Sequence, residues 1–153
     1  MDNKKFEFIT TESKWYEQVI DLRYSIFYKA LGLPKNIVYD KKENKSIHLI
    51  CRNSDRVLGY GRLTINQDIT QISQMAVDPA VQKQGIGSGL MQRLIKQVEE
   101  KDCDKIFLNS RLHVIDFYKR FGFETVGETF LSSRSELPHK RMEIDLKEIN
   151  PLN

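Results

Sequence analysis

The stretch Met75-Ala76-Val77-Asp78-Pro79-Ala80-Val81-Gln82-Lys83-Gln84-Gly85-Ile86-Gly87-Ser88-Gly89 decides how this 153-residue chain is read. Upstream of it, residues 69–77 carry the pattern of a strand; downstream, Leu90, Met91, Leu94, Ile95 and Val98 recur at helical spacing. Three glycines thus stand at a strand-to-helix junction, where the first helical N–H groups lack intrahelical partners and the helix dipole is positive. Anions bind at such places, and glycine lets the backbone approach a diphosphate closely. Gln82, Lys83 and Gln84 add donors and charge just upstream. A plain helix entry or a flexible linker could use the same glycines. The two commonest phosphate loops do not fit: GxxxxGK followed by Ser or Thr is absent, and the third position of GxGxxG is Leu90.

Outward from this junction the pattern is that of a mixed α/β chain. Residues 6–10 read as a strand, and Trp15, Val19, Leu22 and Ile26 then mark a first helix expected to end near Gly32-Leu33-Pro34. Residues 34–44 are polar and Lys-rich, read as a surface loop or a broken helix. Residues 47–51, 57–65 and 69–77 form three strands with short connections, an antiparallel meander. After the glycine junction and its helix come a short strand at 106–108, a helix with Val114, Phe117, Tyr118 and Phe121 capped by Gly122, and strands at 123–128 and 141–146. The order βα-βββ-α-β-α-ββ, with no repeat or linker, gives one α+β domain over residues 1–153 around a single sheet.

Composition narrows the class. A hydrophobic fraction of 40% with 29% charged residues is that of a soluble globular protein, and no apolar run is long enough to span a membrane. The Met1-Asp2-Asn3-Lys4-Lys5 start leads into alternating residues and not into an apolar secretory core, so a cytoplasmic location is expected. The net charge of +3 comes from interleaved Lys, Arg, Asp and Glu, which argues against nucleic acid as the main partner. Cys51 and Cys103 form neither a CxxC pair nor a cluster with histidines, so no metal site is expected.

What fits the glycine stretch is Gln-x-x-Gly-x-Gly, written Gln82-Lys83-Gln84-Gly85-Ile86-Gly87 and preceded by Met75-Ala76-Val77-Asp78-Pro79. This resembles the acetyl-CoA pyrophosphate loop of the GNAT acyltransferase superfamily. Asp116-Phe117-Tyr118-Lys119-Arg120-Phe121-Gly122-Phe123-Glu124 resembles the second hallmark of that superfamily, and the two motifs stand in family order, one helix and one strand apart. Residues 111–118 and 138–142 look closest to the ElaA-like branch.

The resemblance implies a GNAT fold: a mostly antiparallel sheet splayed between its fourth and fifth strands, with acetyl-CoA bound in the splay. The implied cofactor contacts are Met75, Ala76, Val77, Gln82, Lys83, Gln84, Gly85, Ile86, Gly87, Ser88, Asn109, Phe117 and Tyr118. Main-chain groups of Met75 and Val77 would hold the pantetheine and polarise the thioester. The implied reaction is transfer of the acetyl group to an amine of a small molecule or peptide, with Tyr118 as the acid beside the departing sulfur. Many members place a carboxylate on the fourth strand as base; here Gln71, Ser73 and Gln74 stand there. Either a water chain or a histidine must then serve as base, with His48, His113 and His139 the candidates. His113, five residues before Tyr118, sits near the expected thioester, while His139 and Arg62 could instead line the acceptor pocket, an ordinary surface ion pair being the other reading of Arg62. Dimerisation is common in the superfamily. The rival reading is a non-catalytic acyl-CoA sensor that keeps the loop and lacks a working acid.

Overall fold

The structure, a computed structural model, describes residues 3–149. Seven strands make one sheet: β1 (Lys5–Ile9), β2 (Ile47–Arg52), β3 (Val57–Ile65), β4 (Thr70–Val77), β5 (Lys105–Arg111), β6 (Glu124–Leu131) and β7 (Pro138–Asp145), in the spatial order β1-β2-β3-β4-β5-β7-β6. Four helices accompany them: α1 (Tyr16–Phe27), α2 (Ile86–Glu100), α3 (Ile115–Lys119) and α4 (Leu146–Ile149). Every pairing is antiparallel except β4 with β5. The expected order of strands and helices is observed through β7, and α4 follows it unexpected. No helix of the described residues is long and apolar enough to cross a membrane.

Strand alternation sorts the side chains onto two faces. Leu49, Leu58 and Leu63 meet Leu90, Met91, Leu94 and Val98 of α2 in the main core, which also takes in Leu108, Tyr118 and Met142. Burying each large aliphatic side chain of that stripe contributes roughly 1.5–3 kcal/mol. Ile50, Val57 and Tyr60 turn the other way, onto Trp15 and Val19 of α1. The sheet is therefore covered on both faces.

Several elements differ in extent from the sequence expectation, among them β7, which starts at Pro138 and gives way to α4 at Leu146. The first helix stops at Phe27, not near Gly32: a 3-10 turn at Lys29–Leu31 follows, and Gly32 closes it at φ 72°. This tightening turns Tyr28 inward, where it packs with Ile20 and Val38. The polar segment 34–44 forms two further 3-10 turns, at Lys35–Val38 and Glu43–Lys45, and Val38 and Glu43 are buried. The fifth strand runs on to Arg111 because β7 pairs with it along its whole length, from Lys105↔Asp145 to Arg111↔His139.

β4 contains the decisive irregularity. Tyr60 pairs with Ala76 but Arg62 pairs with Ser73, so β4 holds one extra residue opposite Gly61. Gln74 takes it up at φ 58°, a left-handed conformation uncommon outside glycine. Its side chain accepts a hydrogen bond from Arg23 Nε at 3.3 Å, which ties the bulge to α1.

Candidate active site

β4 and β5 pair only at Thr70↔Ile106 and Gln71↔Phe107, then diverge. Beyond Gln71, the edge of β4 facing β5 has no ladder partner. The gap opens into a cleft of about 940 Å³ walled by β4, the C-terminal end of β5, the start of α2, α3, the end of α1 and the β6–β7 turn. That volume suits a drug-sized or cofactor-sized ligand.

The glycine stretch forms one rim. Gly85 lies just before α2 with φ 81°, and no side chain caps the helix. The first intrahelical bond of the stretch runs from Gly89 N to Gly85 O at 2.9 Å, so the N–H groups of Ile86, Gly87 and Ser88 have no helical partner. Gln82, Lys83, Gly85, Ile86, Gly87 and Ser88 all line the cleft. Gln84 does not: its Oε1 accepts from Lys4 Nζ at 2.8 Å, on the outside of the loop. Gly89 has a different role, because a Cβ there would lie 2.4 Å from the Phe6 ring. It lets α2 pack on β1.

The opposite rim is α3 and the end of β5. Asn109, Phe117 and Tyr118 line the cleft. Tyr118 is buried, with its ring edge-on to Phe117 and Phe123. Burial pushes its phenol pKa well above the ordinary value, so the hydroxyl is a proton donor throughout the neutral range. Met75, Ala76 and Val77 line the β4 wall.

The histidines separate into two groups. His48 is buried on β2, with Nδ1 2.5 Å from the Tyr60 hydroxyl and Nε2 2.8 Å from the Glu43 carbonyl. Burial depresses its pKa, and both nitrogens are engaged. His113, exposed in a 3-10 turn at Leu112–Val114, and His139 on β7 both line the cleft. His139 Nδ1 lies 2.8 Å from the Leu137 carbonyl and must donate to it, so in the neutral ring Nε2 is left as an acceptor.

Arg62 is not brought into the cleft. It is 1% exposed on the α1 face of β3, and Asp40 and Glu43 from the folded-under 34–46 segment take its guanidinium at 2.9 and 2.5 Å. Its Nε donates to Ser73 Oγ at 3.0 Å. Glu43 also accepts from Arg23 at 2.7 Å and from the Tyr16 hydroxyl at 2.6 Å. The polar look of residues 34–44 concealed two carboxylates that neutralise buried arginines. Sequence reading also missed Phe27, Tyr28, Gln74, Arg111 and Arg134 on the cleft wall, which long-range packing brings there.

A model of the acetyltransferase (GNAT) family matches residues 12–123. The uncharacterized N-acetyltransferase YjcF of Bacillus subtilis is 25% identical over 122 residues, covering 79% of this chain and 86% of that protein. Escherichia coli ElaA superposes with a TM-score of 0.80 at 21% identity, over 92% of this chain and 99% of that one. A GNAT family acetyltransferase from Elizabethkingia anophelis, solved with acetyl-CoA bound, gives 0.70 at 16% identity, over 95% and 100%. Splayed strands, an uncapped glycine helix start and a buried tyrosine on the cleft wall agree with the family match, and the chain belongs to the GNAT acetyltransferase family.

Proposed function

We propose that the protein transfers the acetyl group of acetyl-CoA to a primary amine by direct attack, without an acyl-enzyme stage. The observation that carries this reading is the free edge of β4, opposite Tyr118 and continuous with the uncapped start of α2. Such an edge accepts an extended amide-containing arm as an added strand, and the unpaired N–H groups of Ile86, Gly87 and Ser88 suit a diphosphate. Lys83 and Gln82 add a charge and a donor beside them. Acetyl-CoA bound in the Elizabethkingia relative supports the same ligand here.

The thioester supplies the activated acetyl carbon. The residues of the chain orient it, stabilise charge and move two protons. Main-chain groups of Met75 and Val77 on the free edge of β4 hold the arm and polarise the carbonyl. Tyr118 donates its hydroxyl proton toward the sulfur as the C–S bond breaks and the new C–N bond forms. The amine proton passes to His113, exposed at the cleft mouth. His139 is the second candidate, because its bond to Leu137 leaves Nε2 as the proton acceptor. No carboxylate of β4 competes for the task.

The test is release of CoA thiol from acetyl-CoA, followed with a panel of amines and confirmed by mass of the acetylated product. Thiol release that depends on the amine and yields an N-acetyl product is the expected outcome. Tight binding of acetyl-CoA with no transfer to any amine would favour a sensor instead.

A further inference from the structure

The arginines of this protein are mostly paired with carboxylates: Arg23 and Arg62 with Glu43, Arg52 with Glu7, Arg56 with Asp78, Arg141 with Glu143. Arg111, like Arg93, Arg120 and Arg134, has no such partner among the described residues. It ends β5, half-buried, and the one hydrogen bond of its side chain among the described residues runs from Nη2 to the Phe27 carbonyl at 3.3 Å. Its guanidinium lies over the Phe27 ring, 5.3 Å from the centroid. Burial lowers its pKa and only the Tyr28 phenol opposes this; no carboxylate acts on it. A guanidinium withdrawn from water without a counter-ion is costly unless a ligand supplies one.

Its position separates it from the cofactor rim. Along β5, Ile106 and Leu108 join the α2-side core, so Phe107, Asn109 and Arg111 face the other way, toward α1. The diphosphate rim, with Lys83 and with Arg120 over the Phe117 ring, belongs to the α2 and α3 side. Arg111 instead pairs across the ladder with His139, and the two share a face. Arg134, from the β6–β7 turn, reaches across to the carbonyls of Ile37 and Tyr39 and adds a second positive charge to this end. Among the described residues no Asp or Glu lines the cleft at all.

We propose that the acceptor is an amine that also carries a carboxylate, and that Arg111 binds that carboxylate while the amino group meets the thioester. This rests on the acetyltransferase reading and narrows its substrate class. An acceptor end that carries Arg111 and Arg134 and, among the described residues, no carboxylate repels polyamines and aminoglycoside-like polycations. One guanidinium with a free donor edge, backed by an aromatic ring, matches a planar monoanion in bidentate geometry. Arg111 is therefore a specificity-determining residue in the acceptor site.

The experiment uses the full chain with matched pairs: amino acids of varied side chain and ω-amino acids of rising length, each beside its own carboxamide. Phosphoethanolamine and spermidine complete the set. Two readouts are taken, thiol release from acetyl-CoA and thermal stabilisation of the CoA-saturated protein by each amine. At least one carboxylate is expected to exceed its amide by tenfold or more in kcat/KM and to give the larger thermal shift. Arg111→Gln should bring that ratio near unity by raising KM, and Arg111→Lys should restore part of it. Preference for amides, spermidine or phosphoethanolamine overturns the inference, as does a ratio that survives Arg111→Gln. Carboxylate-selective stabilisation without thiol release from any amine would retain the recognition role of Arg111 and remove the acetyltransferase reading. Neither stabilisation nor release by any carboxylate removes the inference.

Discussion

Tyr118 shows how one hydroxyl acquires a role from its surroundings. Its ring is core by every measure of packing, yet the side chain lines the cleft. Tyr118→Phe keeps the aromatic contacts with Phe117 and Phe123 and deletes only the proton donor. Turnover is expected to fall about a hundredfold, the usual scale of acid–base assistance, with acetyl-CoA affinity nearly unchanged. Equal turnover, measured by thiol release, would return Tyr118 to a purely structural role. The base is tested by pH. With His113 as acceptor, the acidic limb of the kcat/KM profile should vanish in His113→Ala. Loss of the limb in His139→Ala instead would assign the proton to Nε2 of His139, whose tautomer Leu137 fixes. A limb that tracks the basicity of the amine in both variants would exclude either histidine.

At the scale of elements, the glycine stretch divides its work. Gly87 faces the cleft, and a Cβ there would meet the tip of the Phe117 ring at 3.3 Å and Val77 at an ordinary 3.9 Å, so a side chain is admitted at modest strain. Gly87→Val should therefore fold, and weaken CoA binding by tenfold or more, about 1.4 kcal/mol, by blocking backbone approach to the diphosphate. Calorimetry reads this directly; unchanged affinity would disconnect the loop from the cofactor. Gly89 faces inward, where a Cβ would lie 2.4 Å from the Phe6 ring. Gly89→Val should cost about 1–3 kcal/mol of stability by overpacking the α2–β1 contact. Denaturant midpoints separate the two cases, since only the second should shift strongly. The pattern of alternate glycines suggests one function, but the packing gives them two.

For the whole molecule, the buried ion network of Arg23, Arg62, Asp40, Glu43 and Tyr16 fastens the segment between α1 and β2 to the sheet. Burial raises the Glu43 and Asp40 pKa values, but the arginine hydrogen bonds and charges outweigh it and hold both below the ordinary carboxylate range. A carboxyl depressed on folding stabilises the fold above its unfolded pKa, and that contribution is lost as pH falls through the folded one. Stability should therefore decline once pH drops below about 4.5, the region where free carboxyls begin to bind protons. Glu43→Gln leaves two buried guanidinium groups undercompensated and is expected to cost about 3–5 kcal/mol at neutral pH. It should also flatten the acid decline, because one of the titrating groups is gone. Denaturant titration from pH 7 to pH 3 on both proteins checks it; parallel curves would place the acid sensitivity elsewhere.

The sequence by itself determined the order of elements as far as β7, the two motifs and the glycine rim of the cleft, since each rests on contacts within a few residues: helical periodicity, strand alternation, and glycines at a helix start. Of the thirteen cofactor contacts that the family resemblance implied, twelve line the cleft, and Gln84 is turned out to Lys4. Tertiary structure alone decided the rest. Arg62 looked free to bind an acceptor until Asp40 and Glu43, about twenty residues upstream, were folded beneath it. The bulge at Gln74 has no glycine to announce it, because Arg23 from α1 holds the side chain in place. Arg111 and Phe27 are 84 positions apart, and their contact exists because β7 extends β5 up to the end of α1. Local patterns record what neighbours in the chain impose on one another. The balance of charge on an acceptor site depends on which distant segments close around it, and only the packed molecule holds that information.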